Sequence, residues 1–417
     1  MATITDIPRE WMETSGHRVT RLSDQAGSSS LYFNFNAYTP EGDFVVITTP
    51  DGISKIDLSD YRLSLIVPIQ QPFSLLFVGK RYRRAYYRLT DQKSLFWVDV
   101  DTGVTHFIAH EDLGDIQTVN ADETLLAGVE VDSSFKSEIL ELFTKRDPKT
   151  DQFVYEANWS DGTPMSYADA KELRLSQRLD AKVPMILFVI DIEMGTRRNV
   201  YTATDWLNHL LFSPTSPSNL MFCHEGPWHQ VDRLWILDLD QSPLRPTKLH
   251  ERKMNMEIAG HEWFSSDGKT IWYDLQTPRG EDFWVAGYEI ETGRRVQYHL
   301  ARNEWSVHFH SSPDNTQFCG DGGDSEMVAH ADDGKYLYLF TPNRIPDVAG
   351  LKAADSANLV TPGYFTSNKL VNLQAHDYRM EPNANFTPDG KRLIFRSNLH
   401  GELHVYAVEL EKGSLES

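Results

Sequence analysis

The chain of 417 residues is at least twice the usual ~100–200 per domain, so it holds either several domains or one large single-core architecture. With 40% hydrophobic and 24% charged residues it has an ordinary globular composition, able to bury a sizeable core. Lys+Arg total 40 against Asp+Glu 60, and the formal net charge of −20 argues against nucleic acid or an anionic membrane as partner. An anionic small ligand then needs a local pocket that supplies cations or a metal.

From the N-terminus, MATITDIPREW has neither a basic n-region nor an apolar h-region, so the reading is a cytoplasmic protein without a secretory signal. The longest apolar run, Met185–Ile190, is far below the ~20 residues of a membrane helix. The two cysteines, Cys223 and Cys319, lie in apolar strand-like runs and read as reduced packing residues.

Repetition organises the rest. A turn phrase recurs as YTPEGD (Tyr38–Asp43), VNADET (Val119–Thr124), FSPTSP (Phe212–Pro217), FSSDGK (Phe264–Lys269), SSPDNT (Ser311–Thr316) and FTPDGK (Phe386–Lys391). Each feeds an apolar or alternating run, as a Pro/Asp/Gly turn feeds a strand. One strand later comes an alternating run with an acidic end: Lys55–Asp60, Phe96–Gly103, Leu187–Gly195, Leu234–Asp240, Ala286–Gly293 and Val405–Gly413. These hairpins predict four-stranded antiparallel blades, and the irregular spacing leaves room for one blade more than the phrases mark.

The expected fold is therefore all-β: a seven-bladed β-propeller spanning residues 1–417 as one domain, with a strand around His17–Leu22 completing the last blade. An open pair of β-sandwich sheets is the alternative. Thr163–Leu179 breaks the pattern with apolar residues at helical spacing, and reads as a helical insertion, either a surface elaboration or a lid. The basic run Gly79–Leu89 (GKRYRRAYYRL) reads as a solvated strand face or a cationic wall.

No G-x-S-x-G, P-loop, H-E-x-x-H or C-x-x-C motif is present, so any chemistry must sit on the propeller itself. Several of the 15 histidines fall at matching points of the repeats: His261 in GHEWFSSDG, His308 and His310 in SVHFHSSPD, and His376 ahead of FTPDG. Equivalent points of different blades converge near a propeller's axis, so His261, His308 and the His376–Asn383 segment are expected to face one pocket. His224 follows a repeat strand. Gln374, Tyr378, Glu381 and Asn383 share the segment of His376, and Arg233 and Arg302 stand near His224 and His308. Imidazole with carboxylate or amide oxygen suits a divalent ion, and a planar guanidinium suits a carboxylate.

These motifs resemble the oligogalacturonate lyases, seven-bladed propellers that act on short pectin fragments. The resemblance rests on Phe222–Pro227 (FCHEGP), Arg233-Leu234-Trp235, His261–Phe264 (HEWF), His308, Gly320–Gly322 (GDG), Phe386–Asp389 (FTPD) and His400-Gly401. It implies a metal-dependent β-elimination that gives 4,5-unsaturated uronates, with His261 as base, Arg233 as its electrostatic partner and His308 as a ligand of Mn²⁺. Where the family carries Gln and then H-P-H, this chain has Tyr378 and Glu381-Pro382-Asn383, so the expected ligands are His308, His376, Glu381 and Asn383. His224, Arg302, His310, Gln374 and Tyr378 are the expected substrate contacts, with di- or trigalacturonate as substrate. A lyase for another acidic sugar and a non-catalytic TolB-like binding propeller are the competing readings.

Overall fold

A computed structural model describes residues 7–413 apart from 91–93, 109–112, 136–144, 146–153, 326, 328, 349 and 351–353. The turn phrases form through their own side chains. Ser265 donates its hydroxyl to Asp267 Oδ1 at 2.6 Å, and the same 2.6 Å bond joins Ser312 to Asp314 and Thr387 to Asp389. At the acidic hairpin ends, Asp57, Asp99 and Asp191 accept the backbone N–H groups of Ser59, Thr102 and Met194, each at 2.8 Å. Such short-range bonds reverse the chain wherever an Asp or Ser meets a turn, independently of the rest of the fold.

The described strands form six antiparallel-rich sheets rather than seven equal blades. One sheet has three strands (Phe44–Thr49, Gly52–Asp57, Leu63–Pro68), and its inner edge is reduced to the bridges Tyr38↔Val45 and Ser29↔Thr48. Three sheets have four strands, beginning at Phe73–Val78, Asp115–Val119 and Trp206–Phe212. The eight-stranded sheet joins two four-stranded meanders, Ile258–Leu300 and Val307–Asn372. The join has a physical cause: the last strand, Thr361–Asn372, is 12 residues long and runs on to pair in parallel with Arg295–Leu300. There Tyr298 packs on Phe365 at 5.1 Å between ring centres. The first sheet pairs His17–Arg21 with the C-terminal strand His404–Lys412, so the chain's two ends close on each other as expected.

The first strands of successive sheets approach a common axis. Their far ends line a cavity of about 290 Å³ through Phe77, Val119, Phe212, Phe264, His310 and Phe386. The helix α1 spans Tyr167–Ala181, between the second and third strands of one sheet. It begins later than the periodicity predicts because Ser166 supplies the N-cap, accepting from Asp169 N at 3.1 Å. Ala170, Leu175 and Arg178 form its buried face, and the Arg178 guanidinium lies 4.5 Å over the Trp206 ring. Among the described residues no helix is long and apolar enough to cross a membrane.

Candidate active site

Inner strands carry a register shift near their starts, between Asn208 and Leu211, Gly260 and Trp263, and Val307 and His310. The residue that absorbs each bulge has left-handed backbone: His209 at φ 51°, His261 at 48° and His308 at 47°, with Asn383 at 51° ahead of Asn385–Phe386. All four stand three residues before the first residue of a turn phrase. A β-bulge re-aims a side chain, and non-glycine residues hold a left-handed φ only where surrounding packing enforces it. The result is a ring of polar groups at one end of the axis, opposite the aromatic cavity.

His261 and His308 are the centre of this ring, their rings 4.9 Å apart. His261 Nδ1 bonds Asp274 Oδ2 at 2.9 Å, on the neighbouring strand, and its side chain is 25% exposed. His308 Nδ1 bonds Asp321 Oδ1 at 3.1 Å and lies 3.2 Å from the Tyr378 hydroxyl, which also donates to Asp321. On its other side His308 Nε2 is 3.7 Å from Glu381 Oε1. Burial opposes a charge on His308, but Asp321 and Glu381 overcome it and push the imidazole's pKa up to about 9.

Arg233 is buried beside them. Its Nε reaches Glu262 Oε2 and its Nη1 reaches Glu225 Oε1, both at 3.2 Å, while the guanidinium lies 4.7 Å over Trp228. Asn208 and His209 complete the cluster by bonding Glu225 at 2.8 and 3.3 Å, and Cys223 donates its thiol to Glu262 at 2.8 Å. Burial would raise the Glu262 carboxyl, yet Arg233 holds it at about 2. Tyr32 arrives from the N-terminal segment, which crosses the axis so that Asn34 bonds the Glu262 carbonyl at 3.0 Å and Phe33 packs 5.3 Å from His308 and 6.4 Å from Trp263. The Tyr32 ring is edge-on to His308 at 5.5 Å. Burial first, then Glu381 and Glu262, raises its phenol well above the ordinary range.

Helix α1 packs beside this end of the inner strands through Arg178 on Trp206. Burial opposes charge on Glu225 and Glu381, yet His209 and Arg233 hold the first, and His308 and Arg396 the second, below the usual carboxylate range, with a lesser part from Lys171, and Glu172 ties the helix to Arg279 at 3.1 Å. The basic run does not reach the ring: Arg83 is paired with Glu41, Asp43 and Asp101, Arg88 with Asp115, and Lys80 lines the opposite cavity.

Of the anticipated residues, His261, Arg233, His308, Tyr378, Glu381 and Asn383 come together, and five do not. His224 turns away, bonding Asp205 at 2.8 Å and Tyr201 at 3.3 Å, because alternate residues of a strand face opposite sides and it is Glu225 that faces Arg233. Arg302 pairs with Asp332 over Trp305, Gln374 is exposed, and His310 lines the far cavity, where burial and Lys80 push its pKa down to about 4. His376 is bonded to Ser397 at 2.9 Å and meets the edge of the Tyr378 ring.

The four-residue metal set expected from the sequence therefore does not assemble. Among the described residues no group of three or more His, Cys, Asp or Glu is arranged to hold a metal ion. His308 Nε2 and Glu381 face one another, while Asp321 and Tyr378 hold the opposite ring nitrogen, Nδ1. Asn383 spends its backbone N–H on Asp321 and its amide N–H on the Glu381 carbonyl, while its Oδ1, the atom that could hold a metal, is buried without a partner, as is His376 Nε2. His308 Nε2, Glu381 Oε1 and Asn383 Oδ1 are thus the donors available to a divalent ion, fewer than the four expected.

The residues missed by the sequence reading, Tyr32, Asn208, His209, Glu225, Glu262, Asp274 and Asp321, divide in two. His209 had a signal, since it precedes FSPTSP by the offset that puts His261 ahead of FSSDGK. Glu225, Glu262 and Asp321 lie inside the FCHEGP, HEWF and GDG phrases, whereas Asn208 and Asp274 are neighbours on or across strands and Tyr32 comes from the N-terminal segment.

Comparison with known proteins gives a consistent answer. The family model described as oligogalacturonate lyase matches residues 168–414. An oligogalacturonide lyase of Pectobacterium atrosepticum is 25% identical over 231 residues, and an oligogalacturonate lyase of Dickeya dadantii 25% identical over 235. Each match covers 54% of this chain and 55% of the relative, so it spans about half the length of the curated relatives. An oligogalacturonate lyase solved in complex with manganese superposes with a TM-score of 0.71 at 21% identity, covering 97% of this chain and 96% of that one. An oligogalacturonate lyase of Vibrio parahaemolyticus gives 0.71 at 19% identity, with 97% and 96% covered. At these identities the superpositions speak for a shared, propeller-like fold.

Proposed function

The chain belongs to the oligogalacturonate lyase family, and on that premise we propose that it cleaves short oligogalacturonides by β-elimination, with His261 as the base. The observation that carries this reading is the His261–Asp274 pair, which stands 4.9 Å from the His308 ring. With Nδ1–H donated to Asp274, the lone pair of Nε2 is presented to a bound sugar. We read the two meanders of the eight-stranded sheet as two blades, which makes seven around one closed domain.

The chemistry follows from the charges. His261 Nε2 takes the C5 proton, the C–H electron pair forms the C4–C5 double bond, and the C4–O4 bond breaks. The departing O4 takes a proton from the Tyr32 hydroxyl, and both side chains exchange with water afterwards. Negative charge gathers on the C6 carboxyl group in the transition state, and the N–H groups of His308 and Arg233 are the donors beside it. His308, Glu381 and Asn383 would hold a divalent ion, which would supply positive charge to the C6 carboxyl group. The products are a 4,5-unsaturated uronate and a shortened saccharide.

The test is ultraviolet absorbance, since the new double bond is conjugated with the carboxyl group. Mixing the protein with a panel of uronate di- and trisaccharides should produce a rise that slows when C5 carries deuterium. A flat trace across the panel would remove the lyase reading.

A further inference from the structure

The cavity at the other end of the inner strands takes no part in the elimination. Phe33 stands between the two ends, lining the cavity while packing 5.3 Å from the His308 ring. Phe212, Phe264 and Phe386 open three of the turn phrases and line the cavity from three different sheets, and Phe35 and Phe77 add two more rings. Its volume of about 290 Å³ is at the small end of the ~300–1,000 Å³ of ligand pockets, which suits a body of one ring.

The charged and titratable groups of the lining are few. Among the described residues no aspartate or glutamate lines it, in a chain that carries 60 of them. Lys80 stands exposed at the rim. Asn36 donates its amide N–H groups to the Tyr38 and Val78 carbonyls, both at 2.8 Å, and its Oδ1 accepts from the Lys80 ammonium at 3.0 Å. No carboxylate among the described residues lies within ion-pair distance of that ammonium, and an ammonium has two donors beyond the one that Asn36 takes. His310 lines the same cavity with its Nδ1 buried and without a partner, and burial, then Lys80, keeps the imidazole neutral at pH 7. Buried polar atoms are nearly always hydrogen-bonded, and a ligand oxygen here would satisfy this one.

We propose that this cavity is a second binding site, for a small aromatic carboxylate whose ring lies among the phenylalanines and whose carboxylate meets Lys80 and the Nδ1–H group of His310. Phenylalanine rings favour an aromatic body over an aliphatic one, since ring edges pack on ring faces. The ammonium selects an anion over an alcohol of the same shape, and rejects an amine. The site is independent of the lyase reading.

The experiment is calorimetric titration of the full chain with 3-phenylpropanoate, 3-phenylpropan-1-ol and 3-phenylpropylamine, repeated on Lys80→Met, which keeps the apolar stem and removes the charge. The carboxylate should saturate one site, with the alcohol at least about fivefold weaker and the amine weaker still. Lys80→Met should bring the carboxylate down to the affinity of the alcohol and leave the alcohol unchanged. No saturable binding of 3-phenylpropanoate, or equal binding of all three probes, overturns the proposal. A carboxylate affinity that Lys80→Met does not move also overturns it, because the anion is then held elsewhere. The three-probe comparison on the wild-type chain stands even if the variant fails to fold.

Discussion

Two successive meanders build the same device and use it differently. In each, a histidine at a left-handed bulge bonds an aspartate 13 residues later, His261 to Asp274 at 2.9 Å and His308 to Asp321 at 3.1 Å. The backbone angles match as well, at 48° and 47°. What differs is the company on the other nitrogen. The His261 side chain is 25% exposed and its Nε2 is open to a ligand, whereas that of His308 is 3% exposed, with Glu381 facing it and Tyr378 bound into its aspartate pair. On the proposed mechanism, a shared local construction yields a base in one meander and a proton-holding donor in the next. Neighbours from other strands, not the His–Asp pair, assign the role.

The sharpest way to break this comparison is to remove one member. His261→Ala should lower kcat about a thousandfold or more, measured by product absorbance, because it removes the group proposed to take the C5 proton. Asp274→Asn should cost about a hundredfold, since the ring keeps its place but loses the acceptor that sets its tautomer. Tyr32→Phe should cost about tenfold in kcat with little change in KM, and a substrate with a better leaving group at O4 should recover most of the loss.

The pH profile separates the two pairs without mutation. His308 has its pKa raised by Asp321 and Glu381, so the stability it contributes is complete below the unfolded value of about 6.5 and is lost as pH rises through about 9. Turnover should fall over the same alkaline window, and thermal melts of Asp321→Asn should show a weaker pH dependence there. The smallest effect expected is that of chelation. The donors around His308 are fewer than a tight manganese site needs, so EDTA should lower kcat by only about threefold, with recovery on adding Mn²⁺. A rate that chelation leaves unchanged would show that His308, Glu381 and Asn383 hold no metal.

Much of the site was legible before the fold was known, for a definite reason. His261, His308 and Asn383 stand at one offset from a repeated turn phrase, and a repeat converts a one-dimensional offset into a common place around an axis. The same rule points to His209. It says nothing of which way a side chain faces, so His224 was anticipated where its neighbour Glu225 does the facing. His310, two residues past His308, illustrates the limit: the bulge ends between them, and His310 lines the opposite cavity.

By itself the sequence determined the elements whose causes are local. The Ser/Thr-x-Asp turns, the acidic hairpin ends, the Ser166 cap of α1 and the all-β character each depend on residues a few positions apart, as does the offset that puts His261 and His308 at their bulges. Only the tertiary structure decided what those residues meet. The continuation of Thr361–Asn372 into the neighbouring meander depends on pairing partners far along the chain, as do the sharing of Arg233 between Glu225 and Glu262 and the passage of Tyr32 across the axis. So does the insertion of Tyr378 into the His308–Asp321 pair, because hydrogen bonds and charges act through space and carry no mark of sequence separation.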